Sequence, residues 1–229
     1  MTITFITGAN KGLGYETARR LVDAGHTVVL GARDGAVAAD KLGVRWVRID
    51  VTDEASVRAA AADVEQHEGV VDVLINNAGV HGPMGDPSGL TGDELLGVLD
   101  VNLVGVVRTT TAFLPLLRRS ADPVIINVSS AMGSLAATHD PARAESGVVA
   151  PAYTSSKAAL TMLTTQYAKG LPDIRINAAD PGYTATDLNG HSGPQTVTEG
   201  TDAIVALATE GPGHGSGRFV DRHGEIAWS

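Results

Sequence analysis

Short apolar runs recur along the 229-residue chain at 2–7, 27–31, 44–49, 71–75, 124–128, 174–178 and 217–220. They show no polar alternation, as expected of strands covered on both faces of a parallel sheet. Between them, apolar residues recur at helical spacing: Leu13, Ala18, Leu21 and Val22, then Val57, Ala61 and Val64, then Leu95, Leu99, Val106 and Phe113 along a core helix. Punctuation agrees with the pattern. Thr91 and Glu94 form a capping box before the long helix, Pro151 starts another, and a last helix is expected over 196–208. Residues 131–150 read as an irregular insertion with a short helix of its own. No internal repeat, low-complexity tract or linker interrupts the alternation. It predicts one α/β domain over 1–229, a doubly wound parallel sheet with helices on both faces.

The chemistry-bearing residues fall at strand ends. The first strand meets its helix through Thr7-Gly8-Ala9-Asn10-Lys11-Gly12-Leu13-Gly14. Gly8 can take backbone angles closed to other residues, Gly12 permits close approach to a ligand, and Gly14 lets the helix pack tightly on the strand. The free amides and positive end of that helix then form a seat for a pyrophosphate, in the manner of a Rossmann-type fold. A Walker-type loop is disfavoured, because Tyr15-Glu16 follows Gly14 where Lys and Ser or Thr are needed.

The second strand ends in Ala32-Arg33-Asp34, at the place where dinucleotide folds meet the adenosine ribose. Asp34 lies 20 residues beyond Gly14 and could be a ribose acid by count, but reads better as the N-cap of a helix over 35–41. Arg33 at the strand tip and Lys11 in the glycine turn then supply two cations for a 2′-phosphate, favouring NADP(H) over NAD(H).

Later strands end in Asp50-Val51, with Thr52-Asp53-Glu54 as a cap, in Asn76-Asn77-Ala78-Gly79, in Ser129-Ser130, and in Asp180-Pro181-Gly182-Tyr183-Thr184. Ala78 and Gly79 permit close approach of a flat cofactor, and asparagines can lock a turn by bonding backbone. Asn102, among apolar neighbours, either bridges backbone groups or holds a water. Tyr153 and Lys157 stand four apart and share a helix face.

Composition narrows the partners. A net charge of −9 lacks the basic footprint of a nucleic-acid binder. There is no cysteine, and the seven histidines show no ligand spacing, so no metal is expected. No charged leader and no run of about 18 apolar residues is apparent, so a soluble cytoplasmic protein without a membrane partner is expected.

Taken together in this order, Thr7 to Gly14, Asp50-Val51, Asn76 to Gly79, Asn102, Ser130, Tyr153-x-x-x-Lys157 and Pro181-Gly182 with Thr184 resemble the short-chain dehydrogenase/reductase family over essentially the whole chain. The resemblance implies that Tyr153 is the catalytic acid/base, Ser130 polarises a substrate carbonyl, Lys157 holds the nicotinamide ribose, and Asn102 completes the group through a proton-relaying water. It implies NADPH-dependent reduction of a ketone or aldehyde, reversible as secondary-alcohol oxidation; NAD(H)-dependent chemistry or a non-catalytic nucleotide sensor are the alternatives. Work near neutrality asks a free tyrosine, with pKa about 10, to shift by about 3 units, or about 4 kcal/mol in favour of phenolate. Lys157 and an oxidised nicotinamide ring would both act in that direction. Ser130 and Tyr153 are 23 residues apart, further than in most of the family and similar to its carbonyl-reductase branch, as is the ending from Gly217 to Asp221 with Trp228. The longer segment is compatible with a monomer as well as a homo-oligomer. Residues 81–89, 131–150 and 183–195 are expected to wall an open, tolerant pocket for a small carbonyl or alcohol.

Overall fold

A computed structural model describes residues 1–228. The strands are β1 (Ile3–Thr7), β2 (Thr27–Ala32), β3 (Arg45–Arg48), β4 (Val73–Asn76), β5 (Val124–Val128), β6 (Arg175–Ala179), β7 (Phe219–Asp221) and β8 (Gly224–Glu225). They form one sheet in the order β3-β2-β1-β4-β5-β6-β7-β8, parallel except for the last pair. The helices are α1 (Gly12–Asp23), α2 (Ala36–Leu42), α3 (Glu54–His67), α4 (Gly92–Leu99), α5 (Gly105–Leu117), α6 (Leu135–His139), α7 (Pro151–Gly170), α8 (Val197–Gly200) and α9 (Asp202–Thr209).

Alternate residues of each strand feed two separate cores. Ile6 of β1 packs in one with Ala18 and Leu21 of α1 and with Ile204 and Leu207 of α9. Phe5 points the other way, to Val57 and Val64 of α3 and to Phe113 of α5, whose ring centroid lies 4.5 Å from its own. Strand order reverses between β1 and β4, which opens a crevice at the C-terminal edge, the ordinary ligand position of such sheets.

Four local features depart from the sequence pattern. The N-cap of α2 is Gly35 and not Asp34, which makes no side-chain cap and is exposed. Trp46 explains the offset: its indole donates to the Ala32 carbonyl at 3.1 Å and covers residue 35, where any Cβ would lie within 2.6 Å of Nε1. The expected last helix divides at Thr201 into α8 and α9, because the Arg20 guanidinium takes up the Thr198 carbonyl, the Thr201 hydroxyl and Asp202. Strand β8 follows a tight turn in which the Asp221 carboxylate accepts from the amides of His223 (2.7 Å) and Gly224 (3.0 Å). Finally, α4 and α5 are joined by a π-helical turn, Asp100–Val104, with Asn102 in it. The combined helix, Gly92–Leu117, is long and apolar enough to cross a membrane by length and composition, but Val106, Phe113, Leu116 and Leu117 are buried within the fold.

Candidate active site

The glycine turn is built by what crosses it. Gly8 has φ +65°, and a Cβ there would lie 2.9 Å from Ala78 Cα, so the turns after β1 and β4 are in direct contact. Asn77 fixes them: its amide donates to Thr7 Oγ1 at 3.0 Å, and its Nδ2 donates to the carbonyls of Thr7 (2.9 Å) and Gly8 (3.1 Å). A Cβ at Gly14 would meet Asn77 Nδ2 and Gly8 O at 2.5 Å, so Gly14 answers to this turn as well as to the strand behind it. Helix α1 begins with Lys11 as N-cap, without a side-chain cap and without an acid in its first turn. Its leading amides are therefore left for a ligand, beside Asn10 and Leu13, and Gly12, at φ +56° with nothing nearer its Cβ position than Thr186 at 3.9 Å, leaves room for one to approach. These residues fit a dinucleotide pyrophosphate.

At the adenosine end, Arg33 is exposed just past β2, and Arg48 lies in register with Ala32 on β3. Both act on Asp50, which sits below the ordinary carboxylate range chiefly because the Thr52 hydroxyl bonds it at 2.7 Å and the Thr52 amide at 3.0 Å. Val51 beside it is buried against Gly105. Lys11 departs from the expected pairing with Arg33. Its Nζ reaches across the cleft to Asp187 at 3.0 Å, which also meets His191 Nε2 at 2.9 Å. Both members of the pair are half exposed, so it is a weak, screened contact that a phosphate can displace. Arg48, not singled out in the sequence, is the cation that joins Arg33. Its place at the end of the Arg-Trp-Val-Arg strand, next to the strand carrying Arg33, is the signal that could have found it.

The groups expected to react lie at or beside the C-terminal ends of the central strands. The two serines after β5 part company. Ser129 is fully buried and bonds Thr161 Oγ1 at 2.9 Å, whereas Ser130 caps the turn at Ala131–Gly133, accepting from the Met132 amide at 3.2 Å, and lies near enough to Tyr153 to act on its phenol. Lys157 is buried at 5% exposure; its Nζ donates to the Val128 carbonyl at 2.6 Å and lies 5.6 Å from the centroid of the Tyr153 ring. Gly133 lets the turn after β5 press onto α7, since a Cβ there would lie 2.6 Å from the Lys157 carbonyl carbon.

Asn102, fully buried, accepts from the Val80 amide (2.8 Å) and donates to the Val80 carbonyl and to Ser156 Oγ (both 2.9 Å). Its side chain is thus the backbone bridge, and a water held at this residue would need its main chain. Gly79 lies between Asn102 and Lys157. Beyond β6, the Thr184 hydroxyl donates to the Pro181 carbonyl at 2.8 Å, and Gly182 takes φ +66°.

Electrostatics in the chain alone run against the expected shift. Burial pushes the Tyr153 phenol up from its ordinary value, opposed by Ser130 and reinforced by Asp180. Burial pushes Lys157 down to about 8, opposed by Asp180. Desolvation outweighs the neighbouring ammonium because Lys157 is buried and Tyr153 is half-buried beside it.

Asp180 is a residue the sequence reading passed over. It is 5% exposed at the end of β6, accepts from the Gly182 amide at 3.0 Å, and is pushed up to about 6, mainly by burial. The cost to stability sets in as pH rises past the unfolded value near 3.8 and is complete above about 6, where the carboxylate ionises in its buried place. Asp180→Asn, which keeps an acceptor for Gly182, is expected to raise stability at pH 7 by on the order of 2–3 kcal/mol and to lose that gain below about pH 4. Urea unfolding at the two pH values checks it.

The three expected wall segments surround this edge. A cavity of about 220 Å³ among Arg143, Glu145, Asp180, Tyr183, Gln195 and Asp221 brings 131–150 and 183–195 together, and one of about 230 Å³ lies within the loop from Pro83 to Leu90. Ser130 and Tyr153 line neither.

Comparison with known proteins decides the family. The profile described as short chain dehydrogenase matches residues 2–196. The chain belongs to the short-chain dehydrogenase family. Short-chain dehydrogenase anuI of Penicillium roqueforti is 35% identical over 96% of this chain and 93% of its own. The (−)-isopiperitenone reductase of Mentha piperita is 31% identical over 97% and 96%. Among solved structures, NADPH-bound carbonyl reductase from chicken fatty liver superposes with a TM-score of 0.88 at 28% identity, covering 99% of both chains. This short-chain dehydrogenase is thus an oxidoreductase of a family that uses NAD(P)(H).

Proposed function

We propose that this short-chain dehydrogenase is an NADPH-dependent reductase of ketones or aldehydes, acting in reverse as a secondary-alcohol dehydrogenase. The observation that supports it most is the meeting of Ser130, Tyr153 and a buried Lys157 beside an uncapped helix start. The amides of Gly8 to Gly14 would hold the pyrophosphate, Arg33 and Arg48 the 2′-phosphate, and Asp50 and Val51 the rest of the adenosine. Asn77 to Gly79, Pro181, Gly182 and Thr184 would flank the nicotinamide half, with Tyr153 and Lys157 on its ribose. When bound, the nicotinamide supplies the hydride.

The chain's own part is orientation and proton delivery. Ser130 donates to the substrate carbonyl oxygen and draws charge onto it. Tyr153 gives that oxygen its hydroxyl proton, and the Lys157 ammonium stabilises the phenolate left behind. Asn102 keeps Val80 and Ser156 in place around them. The exposed apolar side chains Met84, Leu135, Val148, Val149, Tyr183 and Leu188 all stand on the three wall segments. A rim of this kind favours an apolar substrate body held by burial, which discriminates weakly between shapes.

Steady-state turnover of a ketone panel with both cofactors tests the reading. NADPH is expected to be preferred, and Arg33→Ala to raise its KM about tenfold while leaving that of NADH unchanged, the loss of one charged hydrogen bond to a phosphate at an exposed site. A preference for NADH that survives Arg33→Ala removes the role of Arg33 and favours NAD(H).

A further inference from the structure

His81, just after the Asn-Asn-Ala-Gly turn, has no role in the reaction as described, yet its position is strongly determined. On one side, Val80 is clamped at both main-chain groups by the Asn102 side chain, at 2.8 and 2.9 Å. On the other, Gly82 takes φ +72° and is pressed against Val98, with Ala152 Cβ 3.7 Å from where its own Cβ would be. Further on, the Gly85 amide donates to the Val149 carbonyl at 2.8 Å, which ties the loop to the segment leading into α7. Between these fixed points the half-buried imidazole stands edge-on to Tyr153, with ring centroids 4.7 Å apart and planes at 72°. This is a favoured aromatic geometry, and it constrains the plane of the phenol.

We propose that His81 is a positioning residue for Tyr153: its ring, held by the Val80 and Gly82 anchors, fixes the plane in which the phenol presents its hydroxyl to the substrate. The inference rests on Tyr153 being the proton donor. The groups that face the imidazole come from α7, namely Tyr153 and the Lys157 ammonium, and Asp180 from the end of β6 acts on both of those. Burial, and then Lys157, hold His81 below the ordinary imidazole value. The ring is therefore neutral at and above pH 7. In acid it becomes a second cation beside Lys157, and the edge contact is weakened by repulsion.

Two measurements on the full chain test this. In NMR titration, the His81 ring protons, assigned by their loss in His81→Phe, are expected to show a ring-current shift that disappears in Tyr153→Leu and a midpoint that rises in Lys157→Met. In kinetics with NADPH and a ketone, His81→Ala is expected to lower kcat about tenfold with the KM for NADPH unchanged. His81→Phe should restore kcat to within about twofold and abolish the fall of kcat in acid. An active wild type whose His81→Ala variant keeps its kcat and pH profile overturns the positioning role alone. Should His81→Ala not fold, an unshifted His81 signal, or an acid limb unchanged in His81→Phe, overturns it equally. A wild type that turns over no carbonyl overturns the reductase reading and this role with it, whatever the NMR signal.

Discussion

Tyr153→Phe is expected to slow carbonyl reduction by about 10²–10⁴-fold, the usual contribution of a positioned general acid. The substitution removes one oxygen and leaves the ring against His81 and beneath Lys157, so the cradle should be intact and the KM for NADPH should rise only by the worth of one hydrogen bond to the ribose, roughly tenfold or less. Because burial raises the phenol above its ordinary value, the proton needed for reduction is retained throughout the neutral range. The same burial makes the reverse reaction, which starts by removing a proton from an alcohol, the more demanding of phenolate. Oxidation rates should accordingly fall at least as far as reduction rates. Single-turnover rates in both directions, with circular dichroism to establish the fold, measure this. A variant that retains a reduction rate within threefold of the parent would remove Tyr153 as the proton source.

Much of this arrangement can be read from local sequence because the constraints behind it are local. The covered strands, the Thr91 and Glu94 capping box and the cap at Asp53 lie where the pattern puts them, within the usual drift of a residue or two at strand ends. Asn77 bonds backbone as an asparagine at a tight turn is suited to do, and Ser129 has the packing role left to it. All but one of the misses have partners distant in sequence. Trp46 moves the start of α2 off Asp34, Arg20 breaks the last helix 181 residues away at Thr201, and Asp187 draws Lys11 across the cleft. The π-helical turn carries no sequence signal of its own, since Asn102 is satisfied only by Val80 and Ser156. The hairpin at β8 is the exception: its signal is local, with Asp221 and Gly224 at the first and last positions of a turn, but the expected last strand stopped at residue 220.

The direction of the phenol and ammonium shifts was not legible either, for a different reason. Sequence spacing places Lys157 one turn from Tyr153, and proximity alone argues for a lowered phenol. Only the fold reveals that Lys157 is buried with Tyr153 half-buried beside it, and that Asp180 is a further buried ionisable group that raises both. Desolvation then favours the neutral pair in the chain alone, and the charge distribution needed for proton transfer has to come from what binds in the crevice.

Lys157→Met separates the cost of that arrangement from its use. Activity is expected to fall by about 10²–10³-fold, because nothing then stabilises the phenolate produced as Tyr153 gives up its proton. Stability is expected to move the other way below pH 8. The folded ammonium titrates near 8 and the unfolded one near 10.5, so at lower pH the unfolded chain binds the proton more tightly and the native state carries the full penalty. That penalty is about 3 kcal/mol and is recovered as pH rises from 8 toward 10.5, where stability should increase with pH. Methionine fills a similar volume without charge, so the variant should be more stable than the parent at pH 7, less the loss of the bond to the Val128 carbonyl, about 1 kcal/mol. Urea unfolding of the two proteins between pH 7 and 9.5 makes the comparison, the upper limit being set below the range where tyrosine titration adds its own slope. If the parent shows no rise in stability over that interval relative to Lys157→Met, the ammonium is not paying a burial cost, and the tension between stability and catalysis placed at this residue does not exist.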